Sequence, residues 1–117
     1  MQIVKIDRAK WARGRMGGKS ALLNSENNMC CLGFACLELG ATQHDIFNKS
    51  MPYSGLVPQE IYDRFVALGA RVETLYSLAL TNDDSRIKLD RDRLDALNRL
   101  LTEAHADLRF EFEPELN

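Results

Sequence analysis

Met29-Cys30-Cys31-Leu32-Gly33-Phe34-Ala35-Cys36-Leu37 decides the reading of this chain: the stretch has no charged side chain and holds all three cysteines of the protein. Asn27 and Asn28 stand before it as candidate N-caps and Gly40 after it as a C-terminal stop, so it reads as a short helix apolar on every side. A helix of that kind is buried, and a small domain wraps around it. Gly33 within it permits close approach of another element, and the thiols fill small spaces beside it.

Around this segment the chain has 117 residues, 45% of them hydrophobic and 27% charged. That is one domain, residues 1–117, long enough to bury roughly 65% of the surface its unfolded form exposes, with no need of a disulfide or a metal to fold. No stretch approaches the ~20 apolar residues of a membrane span. Met1-Gln2-Ile3-Val4-Lys5-Ile6-Asp7 lacks the pattern of a secretory signal, which predicts a cytoplasmic protein. An odd number of cysteines, two of them adjacent, predicts free thiols in that reducing compartment.

The ends read as strands. Gln2 to Ile6 is short and β-branched, and Leu108, Phe110 and Phe112 alternate with Arg109, Glu111 and Glu113, the period of a strand with one face buried. Between them helical signals dominate. Asp7 caps a short helix through Trp11, and the glycines of Arg13-Gly14-Arg15-Met16-Gly17-Gly18-Lys19-Ser20 make a loop. Gln43 to Gly55 is irregular, and its apolar residues Ile46, Phe47, Met51, Tyr53 and Leu56 either cover the core or form a homodimer contact. Pro58 opens a helix with Ile61, Phe65 and Leu68 on one face, closed by Gly69. Val72, Leu75, Tyr76 and Ala79 mark the next helix, which the polar cluster Thr81-Asn82-Asp83-Asp84-Ser85 ends as a turn. Asp90 caps the last helix, whose stripe Leu94, Leu97, Leu101 and Ala104 lies opposite Asp92, Arg93, Asp95, Arg99 and Glu103. The expected fold is α+β: a small single domain, helix-rich around a buried central helix, with two to four short strands including both termini.

Charge and chemistry point to binding. The formal net charge of −2 disfavours nucleic acid as a partner, because such binding draws its affinity from neutralised phosphates. Lys5, Arg8, Lys10, Arg13, Arg15 and Lys19 nevertheless face only Asp7 within residues 1–20, a polarity that either attracts an anion or forms a solvated face. Gly18-Lys19-Ser20 is similar to the end of a phosphate-binding P-loop, but three residues separate Gly14 from Gly18 where the motif needs four. A looser anion grip by Arg13, Arg15, Lys19 and the glycine amides is one reading, a plain surface loop the other. Trp11 beside these cations is either a stacking surface or a core anchor.

Cys30 and Cys31 open a helix, where the macrodipole favours a thiolate and so a nucleophile, with His44 or His105 as base and Asn82 or Asp83 as third member. Structural thiols are the alternative. The adjacent cysteines are poorly spaced for one tetrahedral metal ion, and no metal or other cofactor is expected. Asn82-Asp83-Asp84 lacks the alternating ligands of a calcium loop.

Lys10-Trp11-Ala12-Arg13-Gly14, Ala21-Leu22-Leu23-Asn24, Met29-Cys30-Cys31-Leu32-Gly33-Phe34 and Leu80-Thr81-Asn82-Asp83 together resemble a pattern of small phage and prophage proteins, with Cys-Cys-Leu-Gly its most specific part. The resemblance spans roughly residues 10 to 84 and implies origin rather than mechanism; the longer, charged final helix and Cys36 depart from it. With that origin, the small size, the lack of a catalytic set and the basic glycine loop beside the buried helix start make the expectation a phage-type accessory protein in the host cytosol that acts by binding, inhibiting a host defence by covering a host protein or by sequestering a small anionic nucleotide signal. The expected ligand site is Trp11, Arg13, Gly14, Arg15, Lys19, Cys30, Cys31, Asn82 and Asp83, gathered around the start of the buried helix. The competing expectation is a thiol-dependent hydrolase or transferase using Cys30 or Cys31.

Overall fold

The two ends of the chain pair with each other. In the computed structural model, which describes residues 1–18, 20–53 and 55–114, β1 (Gln2–Ile6) and β2 (Leu108–Phe112) form a two-stranded parallel sheet. Its register runs from Gln2 opposite Leu108 to Ile6 opposite Phe112. Parallel neighbours need a long crossover, and here nearly the whole chain supplies it. The crossover carries α1 (Cys31–Glu38), α2 (Gln43–Ile46), α3 (Gln59–Ala67), α4 (Val72–Asp83) and α5 (Asp90–Glu103). The free edge of β2 is closed by one side chain: Asn98 of α5 accepts from the Phe110 amide at 2.8 Å and donates to the Phe110 carbonyl at 2.9 Å. An amide side chain thus replaces a third strand.

α1 is the interior rod that its composition requires, with every residue from Cys31 to Cys36 buried. It packs against β1, α2 and α4, while α5 packs against α4 and β2. The core joins Trp11, Phe65, Phe110, Ile6 and the leucines of α4 and α5 into one cluster. A Cβ on Gly33 would overlap the carbonyl oxygen of Leu22, so the segment 21–23 lies directly on the helix backbone at the one position without a side chain.

The structure corrects several local expectations. Asn27 and Asn28 do not cap α1: Asn27 takes a positive φ of 64°, and Asn28 donates to the Gly17 carbonyl at 2.9 Å. Cys30 occupies the N-cap position instead. The irregular stretch contains α2, nucleated by a reciprocal capping box between Thr42 and Asp45. Ile46 there is fully buried, and Met51 and Tyr53 pack on the core, while Phe47 and Leu56 stay exposed. Pro58 is the N-cap residue of α3 rather than its first turn. α4 does not stop at Thr81 but continues through Asp83, and its buried face is Leu75, Leu78 and Asn82, leaving Val72 and Tyr76 exposed. Asp90 is the first residue of α5, and Arg93, expected on the solvent side, is buried.

Candidate functional site

The start of α1 leaves backbone N–H groups that need acceptors, and the acceptor comes from the far end of α4. Asn82, fully buried, accepts through Oδ1 from the Cys31 amide at 3.0 Å and from Trp11 Nε1 at 2.8 Å. Its Nδ2 donates to the Ala12 carbonyl at 2.8 Å and to Asp83 at 2.9 Å. Its carbonyl accepts from the Gly14 amide at 2.8 Å. One side chain therefore ties together the pieces that the sequence reading set around the helix start. It also fills that space, so the helix end is sealed by protein groups. Trp11 is 1% exposed and is a core anchor, not a stacking surface.

Burial governs the thiols. Cys30, Cys31 and Cys36 are free and buried. The expectation that the helix dipole would favour thiolates is corrected: desolvation pushes Cys30 up to about 11, against the opposing pull of the Gly33 and Leu32 amides. Burial raises Cys31 and Cys36 as well. The nearby charge acting on Cys30 is the Asp83 carboxylate, which raises it further. Among the described residues neither His44 nor His105 hydrogen bonds a thiol. His105 instead sits at the C-terminal end of α5 with φ 56°. Asp83 is exposed, accepts from the Ser20 hydroxyl at 2.6 Å and, with Ser20 and Met51, borders a small cleft of about 200 Å³ that reaches Cys30.

The basic loop divides in two. Arg13-Gly14-Arg15-Met16 closes a two-residue turn, with Arg13 N to Met16 O at 3.1 Å and the reverse bond at 2.8 Å. Of its central pair only Gly14 has positive φ, 56°, the pattern of a type II′ turn with glycine first. The Gly17–Gly18 half is tied down by Asn24 and Asn28 on the Gly17 carbonyl. A Cβ at Gly18 would meet the Glu26 carboxylate, so an acidic group faces the place where an anion was expected. Lys19 lies outside the described residues.

A cleft of about 260 Å³ opens on the other half, lined by the turn and by the segment from Ser85 into α5. Arg13 stands in it with four of its five N–H groups bonded. Its Nε and Nη2 bind both oxygens of Asp90 at 3.0 Å, its Nη1 reaches the carbonyls of Trp11 and Arg8, and its guanidinium lies over the Trp11 ring. Arg93 is the residue that sequence reasoning missed. Its Nη1 bonds the carbonyls of Thr81, Asn82 and Asp84 at 2.9 Å, and its Nη2 that of Ile87 at 2.7 Å. It thereby caps the negative end of α4. Burial pulls its guanidinium down from the ordinary value while Asp90 and Asp84 push back, yet an arginine keeps its charge. A basic residue three positions after Asp90 on a charged helix face carried no signal of this role.

Arg15 and Lys88 also line the cleft. Lys88 donates to the Ser85 carbonyl, and neither forms an ion pair among the described residues. Asp84 nearby is bound by Arg86, whose hydrogen bonds hold its carboxyl at about 2. The site defined here belongs to a small α+β domain with a basic cleft beside a sealed helix start. No family model, no curated protein and no solved structure matches this chain. Among the described residues no helix is long and apolar enough to cross a membrane.

Proposed function

We propose that this protein acts by binding, as a phage-type accessory protein that takes a small phosphate-bearing nucleotide into the cleft of Arg13, Gly14, Arg15, Lys88 and Arg93 and so withholds a signal from a host defence. The observation that carries this is an excess of cations. Asp90 cancels Arg13 at hydrogen-bond distance, while Arg15, Lys88 and Arg93 keep their charge around a concave surface. Clefts lined by one sign of charge concentrate counter-ions of the other. Of the residues expected at the ligand, Arg13, Gly14 and Arg15 line this cleft, whereas Trp11, Cys31 and Asn82 hold its wall from behind. Asp83 and Cys30 border the separate small cleft.

The resemblance to phage and prophage proteins supports the biological half of the proposal. The thiol-enzyme reading has little physical support, since buried thiols with raised pKa supply almost no nucleophile at neutral pH.

Thermal melts against cyclic and ADP-ribose-type nucleotides, at low and at moderate salt, test the proposal. A ligand at a hundredfold its Kd stabilises by about 2.7 kcal/mol, with a smaller effect at higher salt. Arg15→Glu combined with Lys88→Glu should abolish the shift while changing the ligand-free midpoint little. No shift from any nucleotide at low salt would overturn the nucleotide reading and leave the covering of a host protein as the mode of action.

A further inference from the structure

We infer that the cleft holds a single nucleoside mono- or diphosphate without a metal ion, its phosphate end among Arg15, Lys88 and Arg93 and its base against Met16 and Ile87. This rests on the anion-binding reading above and adds the size, charge and metal independence of the ligand.

Size comes first. A volume of about 260 Å³ lies just below the roughly 300–1,000 Å³ of ordinary ligand sites. One nucleotide fills it, whereas a dinucleotide leaves a large part of itself in solvent. Charge comes second. With Arg13 matched by Asp90 and Asp84 matched by Arg86, the cations of the lining without an ion pair among the described residues are Arg15, Lys88 and Arg93, the last already bonded to four carbonyls. A nucleoside diphosphate neutralises that set, a monophosphate nearly does, and a metal-free triphosphate brings surplus negative charge beside Asp90.

Metal independence follows from the carboxylates. Among the described residues of the lining, Asp90 is the sole acid, and Arg13 holds both of its oxygens. Magnesium prefers carboxylate and phosphate oxygens; here it would find no free carboxylate and three cations. The base position follows from the apolar part of the lining. Met16 is 60% exposed and Ile87 half-buried, and the stems of Arg15 and Lys88 extend that surface. A bare phosphate would leave it uncovered. Arg93, which lines the cleft, is 4% exposed, and its Nε is buried without a hydrogen bond among the described residues.

Calorimetric titration of the intact chain with the nucleoside monophosphates, ADP, ATP, ribose 5-phosphate and inorganic pyrophosphate, each with EDTA and again with magnesium, provides the test. The expected result is that a nucleoside mono- or diphosphate binds at least about tenfold more tightly than ribose 5-phosphate, pyrophosphate or ATP. EDTA should leave that affinity unchanged and magnesium should weaken it. Met16→Ser, an exposed position that should not disturb folding, should bring the nucleotide down toward the ribose 5-phosphate level and leave pyrophosphate as it was. Pyrophosphate binding as tightly as any nucleotide, or magnesium strengthening the interaction, would overturn this inference while leaving the anion-binding reading standing. No binding of any of these probes at low salt would overturn this inference, and the anion-binding reading falls with it when the cyclic and ADP-ribose-type nucleotides give no thermal shift either.

Discussion

The two sides of the Trp11–Met16 segment treat polar groups in opposite ways. On the inner side, Asn82 spends its amide on the Cys31 amide, the Trp11 indole and the Ala12 carbonyl within 3.0 Å, behind a surface from which it is wholly excluded. On the outer side, Arg15 and Lys88 stand in a cleft without a carboxylate of their own. A buried polar group left unpaired costs free energy, so the inner side must be satisfied for the chain to fold. A solvated cation carries no such requirement and is free to wait for a ligand. Changes on the inner side should therefore appear as stability, and changes on the outer side as binding.

Alkali should break the inner side first. Each thiol has a folded pKa above its unfolded one, so below the ordinary value of 9.0 both states are protonated and stability is intact. Above 9.0 the unfolded chain releases protons that the folded chain retains, up to about 11 for Cys30. Stability therefore falls as pH rises, by up to about 1.4 kcal/mol per pH unit for each thiol. Urea midpoints measured from pH 8 to pH 10 should drop steeply, and Cys36→Ala should flatten that decline by about a third. A flat profile would mean that the thiols are not sequestered.

Two substitutions probe the same side at neutral pH. Gly33→Ala drives a methyl group into the Leu22 carbonyl and should cost about 3 kcal/mol or more, read as a lower urea midpoint. Asn82→Ala orphans the Cys31 amide and the Trp11 indole together and should cost about 2–3 kcal/mol. If either variant kept wild-type stability while losing ligand, the inner side would be part of the binding surface and the contrast would fail.

Arg13 sharpens the boundary, because it touches both sides. Its pair with Asp90 is partly exposed, 14% and 27% for the two side chains, and bidentate geometry favours a coupling of about 1 kcal/mol. A double-mutant cycle of Arg13→Ala and Asp90→Ala should measure it. Arg13→Ala should weaken nucleotide binding less than Arg15→Glu does, since Asp90 already cancels the Arg13 charge and four of its five N–H groups are bonded within the protein.

Local signals in the sequence were sufficient where neighbours decide the outcome. The strands Gln2–Ile6 and Leu108–Phe112 follow from β-branching and alternation, and the buried rod of α1 follows from its lack of charge. Failure came where a distant partner overrides local chemistry. Thr81-Asn82-Asp83 has the composition of a turn, yet stays helical because Asn82 finds its partners on α1 and the Trp11 segment, and Arg93 caps the end. The solvent-facing assignment of Arg93 rested on its charge and helical phase, and the carbonyls that accept from it belong to the end of α4 and to the following loop, whose path no local pattern reveals. At the site, the meeting of Arg13, Gly14, Cys31 and Asn82 was legible. That it would be sealed, with the open cleft on its far side, was not, because sealing depends on side-chain geometry rather than on residue type.

The smallest expected effect concerns the end of α5. Three helices close in the same way, with the residue after the C-cap at positive φ: Gly40 after α1, Gly69 after α3 and His105 after α5. In each, the next amide reaches back to the helix, Ala41 to Cys36 at 2.9 Å, Ala70 to Phe65 at 2.9 Å and Ala106 to Leu101 at 2.9 Å. Glycine adopts this conformation without steric cost, whereas a histidine there holds its Cβ against the carbonyl. His105→Gly should therefore raise the urea midpoint by the equivalent of about 0.5–1 kcal/mol, offset in part by the greater freedom of glycine in the unfolded chain. Nucleotide affinity should be unchanged, because His105 lines neither the cleft nor the buried helix start. A loss of stability would show that the imidazole makes a contact worth more than the strain it imposes.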